Sequence, residues 1–85
     1  MEKKTRNDLE KEYQKNVLRI WNKYHIQPSI IVEYLYMKQD NEQEALEMLT
    51  QEIQRSLLYN NSLNYSDYSQ TVDKTVIHIL NELRR

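Results

Sequence analysis

Four cations stand at four-residue intervals near the start of the chain, Lys11, Lys15, Arg19 and Lys23, with Tyr13 and Trp21 close by. On a helix that spacing sets the charges in one row. Like charges so placed repel by roughly 0.2–0.5 kcal/mol per pair, a penalty that Asp8 and Glu12 offset in part. An acidic partner turns the penalty into a gain, and Tyr and Trp are the side chains that most often anchor an interface. Lys11, Tyr13, Lys15, Arg19 and Trp21 are therefore the candidate partner-binding residues. Their chemistry is recognition of an acidic protein surface and, second to it, of nucleic acid phosphates. The competing reading of the same row is a plain solvated face.

Bond-making chemistry has little to work with. Cysteine is absent, so there is no thiol nucleophile and no thiolate metal site. Glycine is absent too, which removes glycine-rich phosphate loops and the G-x-S-x-G elbow of a serine nucleophile. His25 and His78 are far apart and have no metal-ligand spacing around them. His25 reads as a helix-end residue bonded to the last carbonyls, and His78 as a surface side chain four residues before Glu82. Glu44 and Glu47 are paired carboxylates without an apolar surround, which makes them a solvated face. The expectation is a protein with no catalytic residues, no metal and no cofactor.

Eighty-five residues make one domain spanning 1–85. No apolar run approaches the roughly 18 residues of a membrane span, and the basic start has no apolar stretch behind it, so a cytoplasmic protein is expected. The net charge of −1 recruits neither nucleic acid nor anionic lipid globally. Its distribution is uneven: residues 1–26 carry seven Lys/Arg against four Asp/Glu, and residues 27–65 carry two against six. The lack of Gly beside many Asn, Lys, Ile and Tyr has the look of an AT-rich bacterial or phage coding bias. Seven Tyr and one Trp without any Phe suit a core boundary or an interface, where the ring is covered and the polar tip stays wet.

The elements that must carry the basic row follow from hydrophobic period. Leu9, Tyr13, Val17, Ile20 and Tyr24 recur at spacings of three and four, with Leu18 and Trp21 widening the stripe, which predicts a helix over 6–24 capped by Thr5 or Asn7. Pro28 ends that helix near His25 and opens another. Ile30–Met37 has the β-branched and aromatic content of a strand, yet nothing alternates cleanly to pair with it. A helix over 29–38, apolar on most sides, is the reading that satisfies its backbone. Asp40 with Gln43 has capping-box spacing ahead of a helix over 42–59, whose inner stripe is Ala45, Leu46, Leu49, Ile53 and Leu57. The two helices are separate or form one kinked helix. A polar run over 60–67 precedes a helix over 67–84, with Ser66 or Asp67 as its cap and Val72, Val76, Ile79, Leu80 and Leu83 inside; Tyr59, Tyr65 and Tyr68 cover the base of the loop.

The expected fold is an all-α bundle of three to four helices, with residues 1–5 frayed. A helix-turn-helix over 29–59 is disfavoured, because its second helix would bring Glu42, Glu44, Glu47 and Glu52 to the phosphates against one Arg55. The expected function is a non-enzymatic protein-protein interaction module, a small bacterial or phage regulator or inhibitor. A small nucleic-acid-binding or transcription-regulating protein is the alternative, and no membrane is involved. The partner is another protein or a second copy, in the second case an antiparallel two-fold pairing of the basic and acidic walls.

Overall fold

A computed structural model describes residues 2–59 and 65–84. These form five helices: α1 (Arg6–Glu12), α2 (Gln14–Tyr24), α3 (Pro28–Lys38), α4 (Glu42–Tyr59) and α5 (Tyr65–Leu83). The all-α class is as expected, no strand occurs among the described residues, and no helix among them is long and apolar enough to cross a membrane. Five helices replace the expected three to four.

The extra helix arises at Tyr13, where φ −105° and ψ 17° interrupt the segment expected to run unbroken from 6 to 24. No Pro or Gly marks the place. The interruption falls where the packing partner changes, since α1 lies on α3 but not on α5, while α2 lies on both. α1 starts with a capping box: Thr5 Oγ1 accepts from the Asp8 amide at 3.1 Å and the Asp8 carboxylate accepts from the Thr5 amide. α2 ends at His25, whose left-handed backbone (φ 58°) is the turn a glycine usually makes in a chain that has none. The His25 amide donates to Trp21 O at 2.9 Å, as a helix-end residue should.

Pro28 opens α3 in its first turn, and Ile31, Val32, Tyr34 and Leu35 are buried, so the strand-like run is a central helix. α3 and α4 are separate helices rather than one kinked helix. The cap of α4 is Asn41 and not Asp40. Asn41 Oδ1 accepts from the Glu44 amide and its carbonyl from the Ala45 amide, both at 3.1 Å, while Asp40 sits one residue early and pairs with Lys3. Asn41→Ala should therefore cost about 1 kcal/mol in thermal unfolding. Asp40→Ala should cost less, because it removes only a surface ion pair; the reverse order would return the cap to Asp40.

α5 begins two residues earlier than expected, so Ser66 and Asp67 lie inside it rather than capping it, and the residue before it lies outside the described residues. The same holds for the expected loop over 60–64 and for the side chains of Tyr59, Tyr65 and Tyr68.

α2, α3, α4 and α5 pack in a closed ring, each on its two neighbours, and α2 makes no close backbone approach to α4. Short links and antiparallel neighbours make this an up-down-up-down bundle with α2 and α4 at opposite corners. Its core is Leu9, Val17, Ile20, Ile26, Ile31, Val32, Tyr34, Leu35, Ala45, Leu49, Ile53, Val72 and Ile79. Burial raises the Tyr34 hydroxyl pKa above the ordinary tyrosine value. Lys3, Lys4 and Arg6 reach across to α3: Arg6 forks onto Glu33, Gln39 brackets the Lys4 backbone, and Lys3 and Arg6 lie about 4 Å from the Tyr36 ring centroid.

Candidate functional site

α2 turns Val17, Ile20 and Tyr24 into the bundle and therefore presents the opposite arc to water. Lys15 and Asn22 occupy that arc, exposed, with Lys11 in line on α1. Neither the Lys11 nor the Lys15 side chain makes an ion pair or hydrogen bond with the described residues. Leu18 was expected to widen the inner stripe and does not: it is 50% exposed. At roughly 100° per residue it stands on the outer side of Val17 and well away from Ile20, about one turn from Lys15 and about two from Lys11. An apolar side chain flanked by unpaired lysines is a feature that sequence periodicity had filed under core.

The other predicted residues divide. Tyr13 is not on the flank of the row but half-buried, packed against the core and lining a hollow with Tyr34, Leu35, Leu80 and Leu83. Trp21 is half-buried and meets His25 edge-to-face, with ring centroids 6.2 Å apart and planes at 84°. Arg19 faces α5, where its Nη1 lies 3.3 Å from Glu82 Oε2; Lys23 Nζ lies 3.0 Å from Glu82 Oε1. The Asn16 side-chain amide donates to the Glu82 carbonyl at 2.6 Å, which fastens α2 to the end of α5. The row of four is thus split by the bundle: Lys11 and Lys15 stay on the outer arc, while Arg19 and Lys23 turn toward α5. Tyr24 stacks on His78 along the same seam at 6.5 Å between centroids.

The acidic residues of α4 lie elsewhere. Glu42, Glu44 and Glu47 are exposed, and Glu52 is half-buried beside Arg55. Since α4 stands at the far corner from α2, this wall does not neutralise Lys11 and Lys15 within the molecule. Among the described residues no group of three or more His, Asp or Glu is placed to hold a metal ion. The hollow at the α2–α3 junction, lined by Lys23, Tyr24, His25, Ile26, Ile53, Ser56, Leu57 and Thr75, is open and mainly apolar. What the surface of α1 and α2 offers chemically is two free ammonium groups around one exposed leucine, with a half-covered indole beside it. No protein-family model, curated protein sequence or solved structure matches this chain.

Proposed function

We propose that the chain is a non-enzymatic interaction module, a small bacterial or phage regulator or inhibitor, that docks an acidic protein surface on the outer arc of α1 and α2. The reading rests on Leu18, 50% exposed and set beside Lys11 and Lys15, which have no partner of opposite charge among the described residues. An apolar anchor with cations at its rim fits a protein surface: the leucine contributes desolvated area, and the lysines steer approach and exclude wrong partners. Phosphate recognition, the second reading, uses the lysines but leaves Leu18 without a role.

A photoreactive amino acid at exposed Asn22, used in a lysate of the source cells, tests the reading. The expected result is a protein adduct that survives nuclease treatment and is lost in Lys11→Glu/Lys15→Glu. That charge reversal should leave melting within about 0.5 kcal/mol of wild type, because exposed charges contribute little to stability. An adduct that disappears with nuclease selects the nucleic acid reading, and an adduct indifferent to the reversal removes this surface from consideration.

A further inference from the structure

Among the described residues Glu82 alone of the charged side chains is buried, at 5% exposure. A carboxylate taken out of water needs compensation, and α2 supplies Arg19 Nη1 at 3.3 Å and Lys23 Nζ at 3.0 Å. The arrangement is lopsided. The Glu82 side chain is 6% exposed, whereas those of Arg19 and Lys23 are 40% and 51% exposed. A guanidinium carries five N–H donors and an ammonium three, and Glu82 engages one nitrogen of each, so the remaining donors stand toward water. Arg19 lies one helical turn beyond Lys15, which makes these donors continuous with the outer arc of α2.

We infer that Arg19 and Lys23 form a seat for a carboxylate side chain of an acidic protein partner, occupied in the free protein by Glu82 of α5. The chain thus carries its own competitor for the ligand it binds. This rests on the docking surface proposed above and adds a specific subsite to it. Glu82 performs two tasks there. It holds the two cations in place with their free donors outward, which lowers the ordering cost of binding, and it repels an incoming carboxylate, which lowers affinity. A surface lysine pair without such a resident carboxylate would bind any anion; here a ligand must offer geometry good enough to share or replace Glu82.

Fluorescently labelled hexaglutamate is the probe, titrated by anisotropy at low salt into the intact protein and its variants. Glu82→Gln keeps the shape and removes the charge, and it should bind the peptide roughly two- to fivefold more tightly, the scale of one exposed charge interaction. Glu82→Asp, whose carboxylate is withdrawn by one methylene, should fall between that variant and wild type. In wild type with labelled glutamate, the Glu82 side-chain carboxyl resonance should shift in step with peptide binding. A folded Glu82→Gln with unchanged or weaker affinity overturns the inference, as does a Glu82 resonance that stays fixed through saturation. A purely structural clamp predicts both of those results. If hexaglutamate binding is indifferent to Lys11→Glu/Lys15→Glu, the docking surface itself is wrong; if it is sensitive to that reversal but indifferent to Glu82, only the seat fails.

Discussion

Leu49→Ala and Ile79→Ala should each lower unfolding stability by on the order of 2–5 kcal/mol, the range for truncating a fully buried aliphatic side chain. Both residues are wholly inaccessible, one on α4 and one on α5, and each loses contacts across the centre of the ring. Partial collapse around the cavity sets where in the range each falls. A domain of this size starts from a small margin, so either loss moves the melting temperature by ten degrees or more and can abolish folding at physiological temperature. Leu58→Ala and Ile77→Ala serve as controls, since those side chains are 66% and 57% exposed and should change stability by less than about 0.5 kcal/mol. Circular dichroism melts of the four variants decide the matter. Equal effects in all four would mean that the inner faces of α4 and α5 are misassigned.

Arg19→Glu should be the most damaging single charge change on α2, while Lys15→Glu is nearly silent. Reversal at Arg19 removes a cation compensating Glu82 and puts a second carboxylate beside it. For a fully buried pair that loss runs to about 3–5 kcal/mol. Arg19 is 40% exposed, so water screens part of it and on the order of 1–3 kcal/mol is expected. Lys15 has no partner among the described residues to lose. Chemical denaturation of the two variants separates them, and equal midpoints would show that the Glu82 carboxylate is solvated enough not to need Arg19. The contrast also sets a condition on binding experiments: a double reversal of Lys15 and Arg19 confounds docking with stability, whereas Lys11 and Lys15 do not.

The apolar period was strong enough in the sequence to carry the helices and nearly all of the core. Pro28, the Leu49–Ile53 stripe and the Val72–Ile79 stripe each agree with a local rule and with the packing. What stayed hidden depends on which neighbour a helix meets. Nothing in the residues around Tyr13 marks a break; it follows from α1 and α2 having different partners. Leu18 is apolar and adjacent to Val17, so composition assigns it inward, and only the position of the bundle axis turns it out. Asp40 and Asn41 are both good caps by type, and only the structure shows Asn41 on the Glu44 amide and Asp40 paired with Lys3. Glu82 looks like one more charge on a polar helix face until α2 is laid against it. The candidate site was legible as a row of cations, but not as two groups of different use, because splitting it required a carboxylate sixty-three residues away from Arg19.

The corner-to-corner placement of α2 and α4 bears on symmetry. A two-fold axis lays a patch against its own copy, so a patch contributing to a closed dimer must be self-complementary. Lysines at 11 and 15 meeting themselves are not, and neither are glutamates at 44 and 47. Basic wall on acidic wall is favourable, but because the two point away from each other, each such contact leaves an unused basic wall on one molecule and an unused acidic wall on the other. Every addition then recreates the surface it consumed. Association through these walls is head-to-tail, the geometry of a ring where the rotation between neighbours closes and of a fibre where it does not, and a partner with an acidic face and no matching basic one brings it to a stop.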